Sequence, residues 1–196
     1  MKSFDSIDPN PSTSGRLVKT AVSPRPIAWI STVSEDGVDN LAPFSSYNYV
    51  SPSPPVLVFN AGIRDDGRLK DTPQNAIDTG EFVVNVVTEE LVERMDQTSD
   101  DLPADESEFD HANVERIPST DVAPPRVVDA VVSMECTLYD SMRVYDRIAV
   151  FGEVVRFHVT EEVLTDGKID VRKVDIVGRL GGPYYTTTAP TDFDLV

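Results

Sequence analysis

Apolar residues in this chain cluster in short runs bounded by turn-forming residues, and they seldom recur at helical spacing. The first run, Ile27-Ala28-Trp29-Ile30-Ser31-Thr32-Val33, is β-branched and aromatic and predicts a strand. It ends at Ser34-Glu35-Asp36-Gly37, whose Asp-Gly pair predicts a hairpin turn with the chain returning over residues 38–44. Pro52-Ser53-Pro54-Pro55 then interrupts the pattern before a strand from Val56 to Asn60. Residues 81–87 read as a further strand. Residues 131–144 and 147–159, separated by little more than Tyr145-Asp146, predict a long antiparallel hairpin.

Helical signals are fewer. Lys70 to Ile77 has Thr72 in an N-cap pattern with Pro73 at the first helical position, which predicts a short helix ending near Gly80. Thr88-Glu89-Glu90-Leu91 opens a second helix with acids in its first turn, running to about Gln97. Residues 1–15, rich in Ser, Pro and Asp, read as an N-terminal arm, and the acidic stretch from Ser99 to Asp110 reads as an exposed excursion. The glycines between Gly178 and Tyr185 imply close backbone approach or positive φ. Many strands on short turns with few peripheral helices predict a mainly β, antiparallel barrel, and 196 residues suit a single domain.

Charge narrows the choice of partners. The chain carries 34 acidic and 17 basic residues, a formal net charge of -17 and a pI near 4.3, so nucleic acid and anionic membrane are poor partners. Its 22 Asp and 12 Glu stand against 12 Arg and only 5 Lys, a surface whose self-repulsion high salt would screen, so a halophilic source is expected, with an acidic mesophile protein as the alternative. The N-terminus lacks a charged segment followed by an apolar run, and no stretch is apolar enough for a membrane helix, so a cytoplasmic location is expected.

Several chemistries lack their residues. His111 and His158 are the only histidines, and neither has a second His or a Cys at ligand spacing, which argues against zinc. His158 reads as a satisfied or solvent-facing strand residue, His111 as surface, and Cys136 as a buried core thiol. No Gly-x-Ser-x-Gly elbow, Gly-x-Gly-x-x-Gly turn or phosphate-binding loop is present. What stands out is a polar cluster in strand-like sequence: Ser31 and Thr32, then Asn40 through Ser51. Either a bound ligand satisfies these groups, or the segment caps its own backbone. Lys70 poses a similar choice, between an anion site at a helix start and a solvated charge. Arg25 is either a nucleotide contact or a surface charge fixed by its prolines.

Taken in order, these segments resemble the flavin reductase-like branch of the FMN-binding split barrels. The resemblance rests on Ser23-Pro24-Arg25-Pro26-Ile27-Ala28-Trp29-Ile30-Ser31-Thr32, on Asn40-Leu41-Ala42-Pro43-Phe44-Ser45, and on Val50-Ser51 ahead of Pro54-Pro55. Lys70-Asp71-Thr72 with Asn75, residues 81–85, and Gly178-Arg179-Leu180-Gly181-Gly182 with Tyr184 extend it; the acidic tail, residues 189–196, lies outside. It implies a homodimer holding FMN, with FAD as the alternative, near the dimer interface. The implied flavin contacts are Ser31, Thr32, Ser46, Tyr47 and Asn48, with Lys70, Asp71 and Thr72 as the other wall; Trp29 and Tyr184 are either flavin-lining or core. The implied activity is hydride transfer from NAD(P)H to flavin, with a partner oxygenase or other electron acceptor downstream. An FMN-binding electron carrier or flavin-storage protein is the second reading, and a related split barrel holding haem or no cofactor is the third.

The acidic surface generates a first prediction. Denaturation midpoints measured in dilute buffer and in molar salt should rise with salt; equal midpoints would remove the halophilic expectation.

Overall fold

The computed structural model describes residues 1–5 and 11–190. After helix α1 (Pro11–Ala21) come strands β1 (Ala28–Val33), β2 (Asp39–Phe44), β3 (Tyr47–Pro52) and β4 (Pro55–Gly62). Helix α2 (Asp71–Thr79) leads into β5 (Glu81–Val86). A 3₁₀ turn at Glu89–Leu91 then enters α3 (Val92–Gln97), and the single-turn α4 (Glu108–His111) follows. The two longest strands, β6 (Val132–Val144) and β7 (Arg147–Val159), precede the short β8 (Val177–Arg179) and β9 (Tyr185–Thr187). Strands β1 to β7 form one sheet in the order β2-β1-β5-β6-β7-β4-β3, antiparallel at every pair. Among the described residues no helix is long and apolar enough to cross a membrane.

The continuous apolar run of β1 follows from burial on both faces. Ala28 and Ile30 join the inner core with Phe59, Phe82, Met134 and Val150. Trp29 faces the other way, into an outer core with Leu41, Leu91, Met95 and Phe109. Phe59 packs edge-on against Phe82 with ring centroids 5.5 Å apart, and tilted against Phe44 at 4.9 Å. Each such buried ring contributes roughly 1.5–3 kcal/mol by area. Trp29 is therefore core, its indole N–H donating to Thr98 Oγ1 at 2.8 Å. Asn85, fully buried, donates to the Trp29 carbonyl and accepts from Ser133 Oγ and the Val127 amide, which ties β5 to β1 and β6.

Cys136 lies wholly inside the inner core, where burial pushes its thiol far up. His158 is satisfied, as its strand position suggested: it bonds the Glu135 carboxylate, which also accepts the amides of Thr120 and Asp121 at 2.7 and 2.6 Å. Burial would raise the Glu135 carboxyl; the two amides and His158 outweigh it and hold the group below its ordinary range. His111 is surface-exposed, 3.0 Å from Asp100.

Four readings from the sequence need correction. The expected N-terminal arm overlaps α1, which begins at Pro11; residues 6–10 lie outside the described residues. Ser, Thr and Gly are weak helix formers, so this helix carries little signal of its own. The stretch from Ser99 to Asp110 is not wholly exposed, because Glu108 and Phe109 are buried and α4 docks on β2 through the outer core. Helix α2 starts at Asp71 with Lys70 in the cap position, while the Thr72 hydroxyl is drawn to Asn40. Within the polar cluster, whose alternatives are a ligand site or a self-capping loop, residues 47–52 form the regular strand β3 on β4. The glycine expectation is met: Gly182 has φ +68°, and a Cβ on Gly181 would stand 2.5 Å from Thr20 Oγ1. Of the acidic tail, residues 191–196 fall outside the described residues.

The sheet bends where β7 shifts register against β6, beside Gly152 and again between Val154 and Arg156. Bulges of this kind sharpen twist and let a sheet curl around a core. Gly152 is required there by contact, since a Cβ would stand 2.2 Å from Phe82 Cζ, and Phe82 is itself fully buried. Gly152→Ala should therefore cost about 1–3 kcal/mol through overpacking. A chemical denaturation midpoint unchanged from the parent would contradict it.

Candidate functional site

The turn Ser45-Ser46 joins β2 to β3 at the mouth of a hollow of about 620 Å³. Its apolar lining includes Phe44, Tyr47, Val58 and Ala61; its polar lining includes Ser45, Ser46, Asn48, Asn60, Lys70 and Arg147. The turn is fixed by Asn60, whose backbone N–H and side-chain amide both donate to the Ser46 carbonyl, at 3.0 and 3.1 Å. In return Ser46 Oγ donates to the Asn60 carbonyl at 2.8 Å. Asn48 Oδ1 accepts the Tyr49 amide at 2.9 Å. Burial pushes the Tyr47 hydroxyl up to about 12, so it stays neutral.

A larger hollow of about 1020 Å³ adjoins the first, and Lys19, Arg25, Pro43, Ser45 and Arg147 line both. Five basic side chains, Arg16, Lys19, Arg25, Arg147 and Arg179, border it, against the two carboxylates of Asp96 and Asp146. Arg25 spends its guanidinium on the carbonyls of Lys19, Val22 and Leu180, closing the C-terminal end of α1 onto the strand side. Burial, and secondarily the charge of Arg179, lowers the Arg25 pKa. Arg179 lies over the Tyr185 ring, 4.4 Å from its centroid, and Tyr185 in turn donates to Asp96 at 2.7 Å.

The residues expected as flavin contacts separate into two groups. Ser46, Tyr47, Asn48 and Lys70 come together around the smaller hollow. Lys70 is half exposed and 3.6 Å from Asp101. Asp71 and Thr72 border a small recess of about 150 Å³ that shares Pro43, Phe44 and Lys70 with that hollow, and Asp71 pairs with Arg64 at 3.1 Å. Ser31 and Thr32 are fully buried behind it. The Ser31 hydroxyl donates to the Pro125 carbonyl. The Thr32 hydroxyl donates to Asn40 Oδ1 at 3.2 Å and accepts from Asn75 at 3.3 Å.

Asn40 is the centre of this rear wall. Its Oδ1 also accepts the Thr72 hydroxyl at 2.7 Å, and its Nδ2 donates to Glu108 Oε2 at 2.6 Å. The same carboxylate oxygen accepts the Leu41 amide at 2.9 Å. One side chain thus joins β1, β2, α2 and α4. Sequence reasoning missed Arg16, Lys19, Arg147, Arg179 and Asn60 as lining residues. Arg147 and Arg179 are remote from the polar cluster in sequence, and only the scarcity of basic residues in so acidic a chain hinted at a positive site.

A sequence profile of the flavin reductase like domain matches residues 21–174, and the chain belongs to that family. An uncharacterized protein of Aquifex aeolicus is 44% identical over 171 residues, 87% of each chain. YwrF of Bacillus subtilis is 36% identical over 178 residues, covering 87% of this chain and 86% of its own. Among solved structures, nitrilotriacetate monooxygenase component B from Bacillus cereus superposes with a TM-score of 0.94 at 32% identity, covering 100% of this chain and 98% of that one. The 2-nitrobenzoate 2-nitroreductase NbaA of Pseudomonas fluorescens gives 0.87 at 33%, covering 100% and 96%. A protein with a split barrel domain from Shewanella frigidimarina shares the fold at a TM-score of 0.86 and 24% identity, over 100% of each chain. The antiparallel barrel is thus a split barrel.

The rear wall generates a prediction. Asn40→Leu strips the buried Glu108 carboxylate of its amide donor and the Thr32 and Thr72 hydroxyls of their acceptor, at a cost of about 2–4 kcal/mol. Adding Glu108→Leu should recover part of that loss in a denaturation double-mutant cycle; strict additivity would deny the coupling.

Proposed function

We propose that the chain is a flavin reductase that holds FMN in the hollow at the Ser45-Ser46 turn and reduces it with hydride from NAD(P)H. The observation that carries this reading is the gathering of Lys70, the Ser46 to Asn48 segment and a set of basic side chains at one place in a chain of net charge -17. A hollow of about 620 Å³ suits an aromatic ligand with a polar tail, and its mixed lining offers surface for both. The adjoining space leaves room for FAD. When bound, the flavin supplies the hydride acceptor, so no acid–base triad is asked of the protein.

In this reading Lys70 provides the counter-charge for the flavin phosphate, and Ser46, Tyr47 and Asn48 orient the ligand. Phe44, Val58 and Ala61 keep water from the ring. Thr32 and Thr72 act from behind through Asn40, Ser31 anchors the same wall to the loop at Pro125, and Asp71 holds Arg64 beside Lys70.

A homodimer fits the exposed apolar side chains. Strand β6 pairs with β5 only as far as Thr137, and Tyr139, Met142, Val144 and Tyr145 beyond it are exposed, as are Tyr49 and Val50 on edge strand β3. The likeness to component B of a monooxygenase supports a partner oxygenase as the consumer of reduced flavin.

Anaerobic stopped-flow mixing of the FMN-loaded protein with NADH and with NADPH should bleach the flavin band with at least one of them. Bleaching with neither would leave an electron carrier or storage protein. Lys70→Ala should weaken FMN binding roughly tenfold or more, the scale of one charge-assisted contact, and riboflavin binding far less. Equal losses would remove Lys70 from the phosphate.

A further inference from the structure

We infer that the larger hollow is built for a dinucleotide carrying a third phosphate, and that Arg16 and Arg179 make the protein select NADPH over NADH. The inference rests on the flavin reading, which puts the hydride acceptor in the smaller hollow and so requires the reductant to lie in contact with it. The larger hollow is contiguous with the smaller one through Lys19, Arg25, Pro43, Ser45 and Arg147.

The positive charges divide by position. Lys19 and Arg147 stand where the hollows meet, in place to face the phosphates that nicotinamide dinucleotides have in common, while Arg25 beside them is held by backbone carbonyls. Arg16 and Arg179 border the larger hollow and not the smaller, Arg179 directly across a strand pair from Arg25. NADH offers that region only a neutral adenosine, whereas NADPH offers a ribose 2′-phosphate. Neither Arg16 nor Arg179 has a carboxylate partner among the described residues. Arg25 and Arg179 also act on each other as like charges, a cost that a bound anion would relieve.

Arg179 is held for this purpose. Its guanidinium lies over Tyr185 and donates to the Gly182 carbonyl at 3.1 Å, while the Tyr185 hydroxyl is tied to Asp96. A guanidinium fixed by stacking has its remaining N–H groups pre-oriented, and its planar fork matches a phosphate. Arg16, exposed on α1, adds a second guanidinium to the lining of the same hollow.

The test is equilibrium binding of NADP⁺ and NAD⁺ to the full-length protein at fixed salt, with FMN binding measured separately. The parent should bind NADP⁺ at least tenfold more tightly. Arg16→Glu should weaken NADP⁺ binding by about tenfold or more and change NAD⁺ and FMN binding less than twofold. Arg179→Lys keeps the charge but loses the fork and the stack, and should fall between parent and Arg16→Glu. Equal affinities for the two nucleotides in the parent, or equal losses for both in Arg16→Glu, would overturn the inference. If FMN fails to bind while the NADP⁺ preference holds, the flavin reading falls and the assignment of Arg16 and Arg179 stands.

Discussion

Everything at the site hangs on the bonds of one amide. Asn40 accepts two hydroxyls, from β1 and from the first turn of α2, and donates to a carboxylate carried by α4. None of these partners is its neighbour in sequence; Glu108 is 68 residues away. The amide is suited to this position because it combines an acceptor with a donor on a short stem, and Glu108 is left a charge that must be met inside the chain. Because α2 is located by this bond, so is Lys70 at its cap. The placement of Lys70 at the smaller hollow is therefore a consequence of buried polar chemistry on its far side.

The two cores serve the same end by different means. The inner one is a stack of rings and branched side chains that the sheet can enclose only by bending at Gly152, and the outer one seals the back of β1 with Trp29 and Phe109. Between them β1 is enclosed on both faces, and its pairing with β2 runs up to Phe44, next to the turn at Ser45. The surface elements contrast with this. Helix α1 meets the barrel largely through carbonyls held by Arg25 and the close contact at Gly181, and Leu17, Val18 and Val22 stay exposed.

The strands were legible because burial writes a local pattern. Ile27 to Val33, the Asp36-Gly37 turn and the two long runs around Tyr145-Asp146 each carry their own signal, and the structure follows them to within a residue or two. Helix α1 and the burial of Phe109 were not legible, since their support comes from residues distant in the chain. The polar cluster posed a choice between a ligand and a self-capping loop. Part of it belongs to a third case: Thr32 and Asn40 are satisfied by protein groups far along the chain, while Ser46 is locked by Asn60 beside the hollow. The basic rim was the least legible part, because Arg16, Arg147 and Arg179 meet only after folding.

The enclosure of Cys136 has a practical consequence. It is the sole cysteine, it has no solvent exposure, and its thiolate is strongly disfavoured in place, so a thiol reagent can reach it only when strands β5, β6 and β7 part. Its rate of alkylation in the native protein is thus a clock for opening of the barrel itself, set within the sequence and needing no added label. Read with and without bound nucleotides, that clock reports how far a ligand at the rim steadies a core it never touches.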